Sequence, residues 1–324
     1  MTDDIRWFAP NAFNALVVPD LRRAGLCIAD AGDRPARLAV AMSGRAAEDA
    51  FRFARRHHAR LLVFLWDLPP QGTGRGRADP VWWTGGRFLR LPRPWGGYGR
   101  RRGYYSRLRF IASAADAVWV PSEMTRETVA ERFQVRAERV PYCYDSSRFV
   151  AGPQKPNSFP PTLICVSRLR PHKNQAAVLE AAALLGRPVQ VRLIGQGPED
   201  SALEQLAGRL GVHCSVETTA DDPMVTRGYH EAAVAVCPSR FEGFGVTPME
   251  ALGSGTPVVA SDIPPHREFV AGAAELVPLD SPERMSRAIA EKLDGPRADP
   301  RQVRDLTIPA AASRFLTGLR PLLG

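Results

Sequence analysis

Two stretches of the chain carry residue types suited to holding a charged, hydroxylated ligand. In the first, S-R-L-R-P-H-K-N (167–174), Arg168 and Lys173 stand five apart between an apolar run and a helical pattern. Both cations can face one anion over the start of that helix, where free N–H groups and the helix dipole already favour negative charge. Taken alone, they fit two solvated loop cations better. Lys is scarce, however, with Lys155, Lys173 and Lys292 the three in the chain, so composition does not account for Lys173. In the second stretch, S-R-F-E-G-F-G-V-T-P-M-E (239–250), Glu242 sits in a glycine-containing loop and Glu250 follows eight residues later. Gly243 and Gly245 permit close backbone approach. The N–H groups of 244–247 (Phe244, Gly245, Val246, Thr247) then open a helix and make a second anion position. Carboxylates are poor phosphate ligands, but they accept well from sugar or ribose hydroxyls. Glu250 also has a purely local reading: Thr247, Pro248 and Glu250 have the spacing of a capping box, with Thr at N-cap, Pro at N1 and Glu at N3. The local alternative for Glu242 is an exposed loop acid. I-G-Q-G-P (194–198) is a third strand-to-helix loop. Asp200 stands where a dinucleotide fingerprint needs its last glycine, so a tight turn is the better reading.

Elements that would position these residues are visible as short apolar runs alternating with helical stretches. In the first half, 5–8, 36–42, 59–65, 117–120 and 138–142 read as buried strands, and 11–24, 46–57 and 123–133 as helices. In the second half the strands are 162–167, 189–195, 212–217, 233–238, 257–261 and 274–278. Helices fall at 175–185, 199–210, 224–232 and 247–253, and after Pro282. Continuous rather than alternating apolar strands separated by helices predict parallel sheets covered on both faces, hence an α/β chain of two doubly wound Rossmann-like domains. The segment 151–161 has four Pro and no periodicity and reads as a linker. The expected division is therefore 1–150, linker 151–161, and 162–299, with a helix over about 300–324 free to pack on either domain. Ligands in such sheets bind beyond the carboxyl ends of the strands, so a cleft between the two domains is the expected site.

The 324 residues, 44% hydrophobic and 24% charged, exclude disorder and a small disulfide scaffold. No apolar run reaches the roughly 18–20 residues of a membrane span, and the N-terminus lacks the pattern of a signal peptide. Five scattered cysteines, three of them (Cys165, Cys214, Cys237) in strand-like contexts, read as reduced core thiols in a cytoplasmic protein without a metal cluster. The net charge of +9 is uneven: residues 1–150 hold 25 Arg, no Lys and 15 acidic residues, while the remainder is near neutral.

With these motifs in place a resemblance becomes specific. R-L-x-x-x-K-N, I-G-x-G-P and P-S-x-x-E-G-F-G-x-x-x-x-E-A-L-x-x-G-x-P-V-V-A occur in this order over about 162–293. They resemble the nucleotide-sugar half of GT-B glycosyltransferases, in particular the large retaining R-x4-K / E-x7-E family of group 1, family 4 type. The resemblance is weaker in 115–129 and 144–149. It implies a GT-B fold and transfer of a sugar, with retention, from a nucleoside-diphosphate sugar (UDP- or GDP-linked) to a carbohydrate, lipid-linked or small-molecule acceptor. It implies no metal and no cofactor besides the donor. Carried over by position, Arg168 and Lys173 would hold the diphosphate, Glu242 would contact the donor sugar and Glu250 the ribose. Gly243, Phe244, Gly245, Val246 and Thr247 would hold phosphate or sugar through main-chain amides. Alternatives within the fold are a nucleotide-sugar epimerase or an inverting transferase. Outside enzymes, the alternative is a silent nucleotide-sugar or nucleic-acid binding module.

The first half departs from the resemblance. The loop after the first strand, 9–14, has no glycine. Leu65-Trp66-Asp67 stands where many relatives carry His and then Asp. Asp67 is therefore the first-half polar candidate for catalysis, with a turn residue before Pro69 as its plain alternative, and Trp66 reads as core or as a sugar platform. His57 and His58 end a basic helix and read as solvated; His172 and His266 read as loop histidines. The stretch 68–103 reads as one long irregular segment. Between 87 and 109 it and its continuation carry eight Arg and no acid, interleaved with aromatics. Trp82, Trp83, Arg100, Arg101 and Arg102 suit an acceptor or an anionic membrane surface better than nucleic acid. Peripheral contact at the inner membrane face follows as an expectation, with a partly disordered Arg-rich surface loop as the alternative.

Overall fold

The computed structural model describes residues 3–66, 68, 96–152 and 159–324, and for residues 3 and 96–103 the backbone alone. The chain forms two compact units, Met1–Tyr142 with Ile308–Gly324, and Cys143–Thr307.

The first unit is built on β1 (Asp3–Phe8), β2 (Ile28–Ala29), β3 (Ala36–Ala41), β4 (Arg60–Phe64), β5 (Ala117–Val120) and β6 (Glu138–Arg139). They pair in parallel in the order β2-β1-β3-β4-β5-β6. Leu38 to Ala41 and Leu61 to Phe64 are almost wholly buried, because helices cover both faces of the central strands. The helices are α1 (Val18–Arg23), α2 (Ala47–His57), α3 (Gly96–Ala114) and α4 (Glu123–Phe133). A C-terminal helix, Ile308–Leu323, returns to this unit. Its Phe315 is fully buried among Trp7, Phe64, Trp119 and Tyr142, with ring centroids 5.1–6.3 Å away.

Several expectations change here. The helix expected over 11–24 is two pieces, a 3-10 turn at Ala12–Ala15 and α1, because the Asn11 side chain caps the first and Pro19 starts the second. The strand expected over 138–142 stops early: the Val140 N–H still donates to Val120, but Pro141 has no N–H to continue the ladder. The two-residue edge strand β2 carries too little pattern to be read. Of the stretch expected to be irregular over 68–103, residues 96–103 are helical, within α3. Leu108, Ile111 and Ala112 bury one face of that helix, and the packing outweighs the glycines in its first turns. His57 is packed on Phe53 at 4.4 Å and bonded to Asp33 at 3.0 Å, so it is not a solvated histidine.

The second unit contains β7 (Thr162–Val166), β8 (Gln190–Ile194), β9 (His213–Glu217), β10 (Val234–Cys237), β11 (Val258–Ser261) and β12 (Glu275–Val277), all parallel, in the order β12-β11-β10-β7-β8-β9. Its helices are α5 (Ala176–Ala183), α6 (Asp200–Leu210), α7 (Asp222–Glu231), α8 (Val246–Gly253), α9 (Pro264–Val270) and α10 (Pro282–Asp294). The chain enters at β7 in mid-sheet, runs outward through β8 and β9, then crosses to β10 on the other side. Strands β7 and β10 are neighbours, with Leu163 opposite Val234, yet their following loops leave in opposite directions. Such a switch point leaves open the carboxyl ends of two central strands. Helix α7 starts two residues before its expected place because Asp221 accepts from the Met224 N–H at 2.9 Å. None of the five cysteines is in a disulfide. Cys143, Cys165 and Cys237 are buried, Cys214 is half-buried on the edge strand β9, and Cys27 is exposed. Among the described residues no helix is long and apolar enough to cross a membrane.

Candidate active site

At the switch point the loop after β7 bends over α5. Its Ser167 and Leu169 N–H groups donate to Ile194 and Gln196, which ties it to the loop after β8. The approach is close. A Cβ on Gly195 would lie 1.9 Å from the Ser167 carbonyl oxygen, and one on Gly197 2.0 Å from that of Leu169. This packing explains the G-x-G better than a nucleotide turn does. The loop then makes a 3-10 turn at Pro171–Lys173 and passes Asn174 in the left-handed conformation, φ 58°, before α5.

Lys173 points at the second loop. Its Nζ donates to Glu242 Oε1 at 2.5 Å, and Ser239 Oγ donates to the same oxygen at 2.7 Å. Both side chains of the ion pair are 16% exposed. Burial pushes the Glu242 carboxyl up, but the Lys173 ammonium, its hydrogen bond and the Ser239 hydroxyl together hold it below the ordinary carboxylate range. The pair is therefore a dipole between two loops, with the carboxylate ionised. Arg168 is exposed on the first loop. His172 is pushed down to about 4, first by burial and then by Lys173, Arg170 and Arg168, so it is neutral at neutral pH.

The start of α8 differs from the local reading of the sequence. The helix begins at Val246, its N-cap is Gly245 with φ 82°, and no side chain caps it. Thr247 is thus the second helical residue and Glu250 the fifth, so the expected capping box does not form. The physical reason is Gly245, which takes a left-handed turn that a residue with a Cβ resists and so lets the helix start two residues early. A Cβ there would also meet His266 at 3.0 Å. His266 is not a loop histidine. It is 1% exposed in α9, with Nδ1 2.8 Å from the Ser261 carbonyl oxygen, and its ring backs the turn of Gly245.

Glu250, released from capping, faces a different environment. Burial pushes its carboxyl up to about 7. Arg148 opposes this, Asp145 and Asp222 add to it, and Tyr229 favours the charged form. The Tyr229 hydroxyl is itself buried and makes no hydrogen bond of ordinary geometry. Arg148 is held by Asp222 at 2.8 Å and by Thr226 at 3.2 Å, and lies 4.5 Å over the Phe149 ring. A half-buried carboxyl poised near neutrality beside an arginine is suited to a hydroxylated ligand.

The structure thus brings Lys173, Glu242, Gly243, Phe244, Gly245, Val246 and Thr247 to one end of the second unit's sheet, with Glu250 a turn further along α8 and Arg168 on the adjoining loop. Trp66 belongs to the first unit, where its Nε1 donates to the Met42 carbonyl at 2.6 Å and its ring packs on Phe13, Phe64 and Tyr142. Asp67, Trp82 and Trp83 lie outside the described residues. Arg100, Arg101 and Arg102 lie in α3, their side chains outside the description. Arg240, Arg148 and Tyr229 were not readable as site residues, because their partners stand across loops or helices; Ser239, whose partner Glu242 is three residues on, and His266, which backs Gly245, carry no motif of their own. Among the described residues no three His, Cys, Asp or Glu side chains converge on a metal position.

Two parallel six-stranded sheets, each wrapped by helices, make this a two-domain α/β protein of the GT-B fold. Comparison with known proteins accords with that class. Residues 150–305, nearly all of the second unit and just under half the chain, match the model of the family Glycosyl transferases group 1. A GDP-mannose-dependent alpha-(1-6)-phosphatidylinositol monomannoside mannosyltransferase of Mycolicibacterium smegmatis is 32% identical over 175 residues, 47% of this chain and 46% of that protein. The O-antigen chain mannosyltransferase RfbU of Salmonella typhimurium is 27% identical over 56% of this chain and 52% of its own length. The chain spans about half the length of these curated relatives. Among solved structures, Anabaena Alr3699/HepE in complex with UDP and glucose superposes with a TM-score of 0.71 at 13% identity, over 98% of this chain and all of that one. That likeness concerns the fold. Over residues 150–305 the chain is similar to the group 1 glycosyl transferases.

Proposed function

We propose that the protein is a retaining glycosyltransferase that takes a hexose from a UDP- or GDP-sugar without a metal ion. The observation that carries the reading is the Lys173–Glu242 pair, set at the switch point beside the open N-terminus of α8. An anion on the α8 N–H groups would draw on Lys173 and Arg168, and the Glu242 carboxylate beside them is an acceptor for sugar hydroxyls. Glu250 is the ribose ligand in this reading. In the reaction the acceptor oxygen bonds to the sugar anomeric carbon on the face from which the diphosphate leaves, the bond to the diphosphate oxygen breaks, and the acceptor proton passes to that oxygen. The cations and helix N-terminus stabilise the charge that develops on the leaving group. Asp67 is the acceptor-side polar residue of this reading, and the protein works in the cytoplasm. The acceptor is a carbohydrate or lipid-borne hydroxyl. The M. smegmatis relative's name, with its phosphatidylinositol-bearing acceptor, supports a lipid-borne one, and the Arg–aromatic segment 82–109 suits an anionic acceptor or membrane surface.

The test is a thermal-shift panel of nucleoside diphosphates and their sugars, followed by transfer assays with EDTA and NMR assignment of the product anomer. Ligand at 100 times its Kd stabilises by about 2.7 kcal/mol, so the correct base stands out. Absence of any shift with uridine or guanosine diphosphates, together with no hydrolysis or transfer, refutes the proposal.

A further inference from the structure

The Lys173–Glu242 pair joins two loops 69 residues apart in sequence, whose regular structure at this point is one short 3-10 turn that ends on Lys173. A flexible lysine and a loop glutamate need something else to fix them. The structure supplies it in Asn174 and Arg240. Asn174 is 9% exposed, and its side chain works in both directions across the gap: Nδ2 donates to the Pro238 carbonyl at 3.3 Å, and Oδ1 accepts from Arg240 Nη2 at 3.1 Å. The Arg240 backbone N–H donates to the His172 carbonyl at 2.8 Å, and its guanidinium is paired with Asp280 at 2.5 Å. The loop after β7 and the loop after β10 are therefore stapled by three hydrogen bonds immediately beside the ion pair, and the staple is anchored by Asp280 at the start of the α10 approach. Asn174 stands next to Lys173, and Arg240 two residues before Glu242. The left-handed backbone at 174 admits Asn or Gly at low cost, yet only Asn has a side chain to make this bridge.

We infer that Asn174 and Arg240 are positioning residues, which hold Lys173 and Glu242 at the separation that the transfer needs. The inference rests on the glycosyltransferase reading for its kinetic part and on the ion pair alone for its geometric part. Misplacement of a reacting group by about 1 Å costs on the order of a hundredfold in rate. Loosening the staple therefore acts on kcat more than on donor KM.

Two variants test it. Asn174→Gly keeps the backbone conformation and deletes the bridge; Arg240→Gln deletes the guanidinium without touching the turn. The geometric readout needs no substrate. The amine of Lys173 is labelled competitively with acetic anhydride and read by mass spectrometry against Lys292, which pairs with Glu275 and not with any residue of the staple. Lys173 is protected in the parent protein, and each variant raises its labelling at least fivefold while Lys292 is unchanged. In transfer assays kcat falls at least tenfold per folded molecule, with donor KM within threefold, and the double variant is no worse than the poorer single one because both act through the same staple. Unchanged Lys173 labelling in either folded variant, or additive losses in the double variant, overturns the inference. Raised Lys173 labelling in the variants, with no transfer activity even in the parent protein, sustains the staple and refutes the enzymatic reading instead.

Discussion

Replacing Glu250 by Gln should make the protein more stable and less able to bind its nucleotide. The carboxyl is lifted from an ordinary value of 4.5 to about 7, chiefly by burial, with Asp145 and Asp222 adding to the effect against Arg148. Between those two values the native state keeps a proton that the unfolded chain has released. By linkage, stability then falls as pH rises through the window, and the loss is complete above about pH 8. At 1.36 kcal/mol per pKa unit, a rise of this size is worth about 3 kcal/mol. Gln fills the same volume without a charge and so escapes the loss. The measurement is thermal unfolding of both proteins from pH 5 to pH 8.5. The two should melt together at the acid end and part as pH rises, with the variant ahead by roughly 6–12 °C at pH 8 for a domain of this size. Titration of the two proteins with uridine and guanosine diphosphates completes the experiment. A lost charge-assisted hydrogen bond to a hydroxyl costs about 1.5–3 kcal/mol of binding. A Tm difference that stays constant across the pH range, or a variant less stable than its parent at pH 8, refutes the reasoning. So does unaltered nucleotide affinity, as far as the ribose is concerned.

Glu242→Gln frees Lys173 for phosphate and removes a neighbouring anion, so nucleoside diphosphate affinity by calorimetry should rise about tenfold, roughly 1.4 kcal/mol, while transfer is abolished. Weaker binding would show that the carboxylate supports the diphosphate site and does not compete with it. Lys173→Met strands a buried carboxylate and should cost about 3–5 kcal/mol in chemical denaturation. Arg168→Met, at an exposed position, should stay within about 0.5 kcal/mol of the parent while weakening nucleotide binding. Phe315→Ala, in the C-terminal helix, should cost the first unit about 3–5 kcal/mol, followed by the fluorescence of Trp7 and Trp119, and should leave diphosphate binding by the second unit intact.

The parallel strands were legible because their burial on both faces writes itself as unbroken apolar runs, as in Leu38 to Ala41 or Val234 to Cys237. Lys173 and Glu242 were legible for a related reason: strand-to-helix loops have short, recognisable borders, and scarce Lys and glycine-flanked Glu stand out there. What escaped reading depended on contacts distant in sequence or on one torsion angle. The capping box at Thr247 to Glu250 has the right letters, but Gly245 moved the helix start and left Glu250 to Arg148, Asp145 and Asp222. Asn174 and Arg240 meet across 66 residues, and each looks ordinary in its own loop. His266 looked like a loop residue because the helix that buries it is seven residues long and opens on two prolines. Helix α3 was hidden by glycines, its packing face being supplied by a few late apolar residues.

The first unit is discontinuous in the chain, with residues 143–307 placed between its main part and its last helix. On a ribosome this reverses the usual order. The strands of the first unit emerge early, but the cavity that Phe315 fills, among Trp7, Phe64, Trp119 and Tyr142, stays open until the helix Ile308–Leu323 is made. At about 5–20 residues per second that wait is on the order of 10–30 s. The second unit, contiguous and already complete, folds in the meantime. The unit begun first is thus finished after the other, and a ribosome that stops before Ile308 releases a chain with one sound domain and one that lacks its plug.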